Sequence, residues 1–467
     1  MRRRILLSIL LSALCPFLAR AQKQDIIKTG LNFGPLPVVA LDPDKGFQYG
    51  ALLNIYDYGD GSSYPNYNSK WYVEASFFTK GTQQYVVSYD NKVLIPGIRW
   101  SSAVMATIEK AMDFYGFNGY QSWYDQERIA LGNANKKGPQ DPAQFIYTPF
   151  YRNSRVQILA KTDFIGKITD ALSWEAGYHA SWFKEGAVDR TSINKGKDDY
   201  NIYPDSQPTL FELYRKWGLI SDEEAEGGFS SSIRLGLVYD TRDKEGAPSR
   251  GIWAEGHLTA APKWLGTKNP FYRYSLTFRH YVPLVQNNVL TLAYRLNYEG
   301  TLGQNAPYYV LPYITVMGDL YDRDGMGGYR TVRGLMRNRV VGLDMATYNL
   351  ELRWRFISFQ ALKQNISLAL NIFSDGTMVT RGRDMSLKGP QFASPTAQSD
   401  YIEYISKGAK HDTPHITAGV GFRFIMNENF VVAVEYGAPI SRFYGKNHPL
   451  YNQDGPGAFY INTGYLF

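Results

Sequence analysis

The chain has 467 residues, of which 15% are aromatic, with 43 glycines, 36 tyrosines and a formal net charge of +7. That charge is modest for the length and does not point to nucleic acid, which export also argues against; basic loops equally suit anionic lipopolysaccharide. The single cysteine, Cys15, falls in the export signal described next, so the mature chain has no disulfide and no thiolate metal site, and the sequence calls for no metal or cofactor.

Arg2, Arg3 and Arg4, the apolar run from Ile5 to Leu14 and the Ala19-Arg20-Ala21 tripeptide form the three parts of a secretory signal peptide, residues 1–21. Leu14 precedes Cys15 where a lipoprotein signal needs a small residue, so lipidation is not expected. A short periplasmic segment, 22–34, would lead into a barrel from 35 to 467. No later segment approaches the roughly 18 consecutive apolar residues of a membrane helix. The mean hydropathy of −0.33 fits a soluble protein, but it equally fits transmembrane strands, which alternate apolar and polar residues.

Period-2 alternation continues through the rest of the chain. Strands are expected near 35–42, 46–58, 69–80, 83–95, 98–111, 148–164, 170–186, 228–241, 250–262, 270–285, 288–302, 343–358, 363–377, 413–426, 429–439 and 457–467. In the eleventh, Leu290, Leu292, Tyr294, Leu296 and Tyr298 face away from Thr291, Ala293, Arg295 and Asn297. In the twelfth, Asn349, Glu351, Arg353 and Arg355 oppose Leu350, Leu352, Trp354 and Phe356. A soluble sandwich alternates too, but its packed core does not accept charges such as Arg295 and Arg353 unpaired. The connections decide the matter. Even-to-odd turns are mostly short: Ile95-Pro96-Gly97, Gly166-Lys167-Ile168, Val285-Gln286-Asn287 and Asn427-Glu428. Odd-to-even connections include the long ones, near 112–147, 187–227, 303–342, 378–412 and 440–456. Short periplasmic turns and long outer loops describe an all-β, antiparallel transmembrane barrel of about sixteen strands in the Gram-negative outer membrane. Such a barrel must close, since lipid leaves an open edge unpaired. The last strand therefore pairs with the first. It places Phe459, Ile461, Thr463, Tyr465 and Phe467 on one face, and its aromatic end resembles the terminal signal read by outer-membrane assembly machinery.

Within the loop 187–227, Thr209 and Glu212 have capping-box spacing, and Leu210, Leu213, Tyr214 and Trp217 share a helical face; this reads as a lid on the barrel's own rim. Asp319 and Asp322-Arg323-Asp324-Gly325 lack the full spacing of a calcium loop and read as an acidic turn. His411-Asp412 sits in an outer loop with no serine to complete a catalytic set, so no enzyme is expected. His179 reads as a polar lumen filler. The lumenal row Arg234, Arg273, Arg279, Arg295, Arg353 and Arg423 either steers anions or is balanced by Glu175, Glu299 and Glu435.

Four motifs, in order along the chain, resemble the BamA/TamA-type bacterial surface antigen family, which includes two-partner secretion transporters. Asp240-Thr241-Arg242-Asp243 with Pro248 and Gly251 resembles its DTRD…P…G hairpin, and Val332-Arg333-Gly334 its [VL]-R-G-[FY] signature, with Leu335 in place of the aromatic. Asn349 to Arg353 resembles N-x-E-[LF]-R, and Phe373 to Thr377 resembles F-x-D-x-G, with Thr377 where glycine is usual. The resemblance implies that the loop carrying Arg333 and Gly334 folds into the lumen, where Arg333 pairs with Asp375, Glu351 or both and locks the conformation. Alternation independently turns both acids inward. The resemblance also implies assistance in outer-membrane protein assembly or protein translocation. The family's periplasmic POTRA modules do not fit before residue 35, so such work would need a periplasmic or outer-membrane protein partner. The competing readings are a plugged channel or structural barrel and, last, a hydrolase.

Overall fold

The computed structural model describes residues 26–467 apart from 43, 135–145, 198–201, 319–324, 387–391, 393, 429 and 464–466. Its described strands form one closed antiparallel barrel in which each strand pairs with the next and β16 returns to β1. The strands are β1 Leu31–Asp42, β2 Gly46–Asp57, β3 Ser69–Phe78, β4 Gln83–Ile95, β5 Ile98–Asp113, β6 Arg152–Lys167, β7 Leu172–Ala187 and β8 Gly227–Asp240. They continue with β9 Gly251–Ala261, β10 Phe271–Pro283, β11 Leu290–Leu302, β12 Asp344–Ala361, β13 Gln364–Arg381, β14 His415–Met426, β15 Phe430–Pro439 and β16 Ala458–Thr463.

The alternation read from the sequence becomes two surfaces. Leu235, Leu237, Leu258, Leu276, Leu296, Ile372 and Val420 point outward, while Arg234, Arg273, Arg295, Asn297, Glu299 and Arg423 are buried inside. Aromatic rings mark both rims of the apolar band, as transmembrane barrels require. Trp71 packs tilted against Tyr89, and Tyr89 edge-on against Trp100, at the short-turn end; Tyr49 stacks on Phe77, which meets Tyr85 edge-on, at the long-loop end.

Four local expectations are corrected. β1 begins at Leu31, because Leu31 and Phe33 already alternate with Asn32 and Gly34. Gly166 and Lys167 belong to β6 rather than to a turn: Gly166 lies opposite Trp174, and a Cβ there would stand 2.2 Å from the indole, so the ring packs over the glycine and keeps the ladder intact. β12 runs on to Ala361 and β13 starts at Gln364, joined by Leu362 and Lys363, both with positive φ. Hairpins of that kind normally announce themselves with Asn-Gly. Finally, Phe467 does not share the outward face of Phe459. It lies in the lumen beside Tyr281, with Arg295 and Arg353 over its ring at 5.4 and 4.9 Å. Two guanidiniums offer the aromatic end a cation–π site that lipid does not. Tyr465 lies outside the described residues, as do the signal peptide and the Asp322 turn.

The long loops close the outer mouth. The helix Leu210–Lys216 starts with the expected capping box at Thr209 and Glu212. Its Leu210, Tyr214 and following Trp217 pack with Phe114, Phe117, Tyr308 and Tyr401 from other outer loops, the lid arrangement read from the sequence. At the other end, Ile26 exchanges hydrogen bonds with the Asn365 side chain, so the start of the described chain crosses beneath the β12–β13 turn.

Candidate functional site

The described parts of the outer connection 303–343 turn back into the lumen. Thr331 organises its tip: the hydroxyl shares its one proton between Gly325 O and Gly327 O, at 2.8 and 2.9 Å, and accepts from Gly327 N. Val332, Arg333 and Leu335 are buried. Wall cations hold the descending part by its carbonyls: Lys161 donates to Gly318 O, Arg234 to Val316 O and Arg273 to Val310 O, at 2.7–2.8 Å. The basic row is thus partly matched by loop backbone, as well as by acids such as Glu299, 3.7 Å from Arg273.

Arg333 sits at the centre. Its Nε and Nη2 donate to the two oxygens of Asp375 at 2.8 and 3.0 Å, and its backbone amide donates to Asp375 Oδ2 at 3.0 Å. Nη1 donates to Glu351 Oε1 at 2.6 Å and to Glu435 Oε1 at 2.8 Å. The guanidinium plane lies 3.6 Å from the Phe373 ring centre. Arg353 and Arg423 also bind Glu351, and Arg423 binds Glu435. Three guanidiniums therefore face three carboxylates in a buried cluster. Buried ions persist only when paired this fully, since unpaired charge is costly away from water.

Glycines make the recess. Gly334 has φ +88°, and a Cβ on it would stand 2.5 Å from the carbonyl carbon of Gly437 on β15. On β14, a Cβ at Gly421 would stand 2.7 Å from Glu435 Cγ, and one at Gly419 would strike the Phe373 ring at 2.3 Å. Gly334 N also donates to Tyr460 Oη on β16 at 2.9 Å.

Of the residues singled out in the sequence, Arg333, Gly334, Glu351 and Asp375 converge here. Glu435 was read as a wall acid balancing the basic row and not as a third partner of Arg333; its inward position on β15 was the available signal. The hairpin residues are elsewhere, at the short-turn end. Asp240 accepts from Arg242 Nε and Nη2 at 2.9 and 2.8 Å, Asp243 accepts from Ser249 N and Arg250 N, and Gly251, at φ +105°, has Thr241 O where a Cβ would go. They staple the β8–β9 turn and touch none of the lumenal cluster. Phe467 reaches the edge of that cluster through Arg353. His179 bonds Asp163 at 2.7 Å inside the lumen. Asp412 accepts from Tyr120 N, Val379 N and His415, which ties three outer segments together.

A closed barrel with an apolar outer band, aromatic rims and a polar, loop-filled lumen is an integral β-barrel of the Gram-negative outer membrane. The chain belongs to the Omp85 superfamily, whose domain matches residues 115–467, and its barrel is of the BamA/TamA type. Its fold is similar to the crystal structure of BamA from Haemophilus ducreyi lacking POTRA domains 1-3, at 14% identity and a TM-score of 0.50, over 94% of this chain and 70% of that one. CdiB from Acinetobacter baumannii is also similar, at 12% identity and a TM-score of 0.44, over 94% of this chain and 60% of that one. No curated protein sequence matches.

Proposed function

We propose that this barrel assists insertion of outer-membrane proteins, or translocation of proteins, through the seam between β1 and β16, and that Arg333 locks the lumenal loop beside that seam. One observation carries the reading. Among the described residues β1 and β16 meet in a single register pair, Leu41↔Ile461, whereas β1 and β2 share twelve, from Leu31↔Asp57 to Asp42↔Gly46. Strand pairing is what closes a barrel in lipid; among the described residues, which leave out 464–466 beyond β16, this joint has the fewest pairs, and that supports a seam that opens there. In this reading residues 1–21 are the export signal, lipid and lipopolysaccharide surround the barrel, and a periplasmic or outer-membrane protein partner delivers clients.

The test uses the seam itself. Leu41 and Ile461 are directly opposed, at a separation suited to a disulfide. A Leu41→Cys/Ile461→Cys chain should lose function when oxidised and regain it on reduction. If the protein inserts outer-membrane proteins, depletion should lower many of them together; an unchanged outer-membrane proteome sinks insertion, and an unchanged set of secreted proteins as well sinks translocation. A second reading, a plugged channel, is favoured by the buried loop tip in the lumen: a steady conductance that rises on Arg333→Ala supports it. We read the protein as non-enzymatic, because Asp412, the acid of the outer-loop His411-Asp412 pair, is engaged by backbone amides and His415.

A further inference from the structure

On the wall formed by β7, β8 and β9, two carboxylates and an imidazole converge away from the Arg333 cluster. Glu175 lies on β7, Glu255 and His257 lie on β9, and all three are buried. One donor atom from each lies within 4.8 Å of the others. The sequence explains the approach. Glu255 and His257 are two residues apart and so point to the same face. Glu175 is level with Gly236 on β8, and Gly236 is level with His257. Two strand spacings, about 9.6 Å, therefore separate the Glu175 and His257 backbones. The side chains meet because the residue between them has none: a Cβ on Gly236 would stand 2.6 Å from His257 Cβ and 2.7 Å from Gly256 O.

Arg279 on β10 acts on Glu255 through its charge, but two carboxylates this close, both away from water, still need a shared proton or a cation between them. A shared proton joins one oxygen of each group. It does nothing for Glu175 Oε2, which has no hydrogen-bond partner among the described residues although Glu175 is only 3% exposed. A divalent ion draws a donor from each of the three groups and balances two negative charges with two positive ones.

We propose that Glu175, Glu255 and His257 bind a divalent transition-metal ion of the zinc class, which joins β7 to β9 across β8. One imidazole and two carboxylates are a donor set such an ion accepts, with a fourth position left for water. Tetrahedral coordination at about 2.1 Å sets ligand atoms about 3.4 Å apart.

The experiment uses the full-length barrel purified in detergent and stripped with EDTA. Zn²⁺ binding is measured calorimetrically, Co²⁺ binding by its visible absorption, and folding by heat-modifiable gel mobility. The expected result is one equivalent of Zn²⁺, visible Co²⁺ bands and a higher melting temperature in the loaded protein. Glu175→Gln, which keeps the side chain's shape, and His257→Ala should each weaken binding at least about tenfold while remaining folded. A folded wild-type barrel that takes up no stoichiometric Zn²⁺ or Co²⁺ overturns the proposal in favour of a proton-sharing pair. Equal binding by wild type and Glu175→Gln overturns it too, since the ion then sits elsewhere. If His257→Ala does not fold, the wild-type and Glu175→Gln measurements still decide.

Discussion

Replacing Arg333 by alanine leaves two guanidiniums facing three carboxylates, and the loss falls unequally. Glu351 keeps Arg353 and Arg423, and Glu435 keeps Arg423 at 2.9 Å. Asp375 loses both guanidinium bonds, at 2.8 and 3.0 Å, and keeps only the backbone amide of residue 333. Stripping a buried carboxylate of its counter-ion costs about 3–5 kcal/mol. At about 1.4 kcal/mol per factor of ten, the docked loop should be disfavoured by roughly two to three and a half orders of magnitude. Adding Asp375→Asn removes the stranded charge and returns the cluster to two against two, so the double variant should recover much of the loss. Limited proteolysis of the connection 303–343 in the purified barrel reads the docking equilibrium. Wild-type protection in Arg333→Ala would refute the reasoning. So would a double variant cleaved faster than the single one, because the cost would then not reside in the unpaired Asp375.

Gly334→Ala should undock the same segment by at least about 1–2 kcal/mol, since it forces a side chain into left-handed backbone against Gly437; the same proteolysis reports it. Thr209→Ala removes the helix cap that accepts from Glu212 N and should cost about 1 kcal/mol, seen as faster tryptic cleavage at Arg215 and Lys216. Asp454, in the last outer loop, is buried, which alone would raise its carboxyl pKa. The His415 imidazole, Arg339 and the Tyr120 hydroxyl outweigh that and hold it below the usual carboxylate range. A depressed folded-state value contributes stability above the unfolded value, near 3.9, that disappears as pH falls through the folded one. Protease protection of the outer loops in the wild type should therefore persist down to about pH 4 and fall below it. Asp454→Asn should lower protection at neutral pH and flatten that acid limb.

Sixteen strands were legible because each has to satisfy lipid on one face and a polar lumen on the other, which writes period-2 alternation into every pass. The misplaced ends have specific causes. Gly166 looked like a turn because its compensation, the Trp174 ring, lies on the neighbouring strand. Alternation sets the turn after the twelfth strand over 359–362, whereas the turn is only Leu362-Lys363; neither residue advertises positive φ, so neither marks the two-residue hairpin. At the site, alternation could turn Glu351 and Asp375 inward, and inwardness is all it gives. It does not say that Gly419, Gly421 and Gly437 open a recess, or that one guanidinium then spans from Asp375 to Glu435. In register Glu435 is level with Asn371, four residues along β13 from Asp375. Nor does alternation extend to a chain end drawn inward by Arg295 and Arg353, as Phe467 is.

The loop touches both sides of the seam, and this gives the lock a consequence beyond its own stability. Gly334 N donates to Tyr460 on β16, while Arg337 N donates to Asp44 in the β1–β2 turn at 3.3 Å and its guanidinium reaches Glu109 on β5 at 2.7 Å. Arg339 donates to Gln453 O and Gly119 O in two outer loops. If β1 and β16 part, a segment fixed at Arg333 cannot keep both the Tyr460 and Asp44 contacts. Docking and seam closure therefore share free energy, and each must bias the other by the same amount. We predict that Arg333→Ala, which alters neither seam strand, slows oxidative cross-linking of Leu41→Cys to Ile461→Cys, because the two residues spend less time opposed. Asp375→Asn on the same background should restore the rate in step with proteolytic protection of the loop. Cross-linking at the wild-type rate in a variant whose loop is demonstrably undocked would show that the two motions are independent, and Arg333 would then be a lumen-packing residue with no hold on the seam.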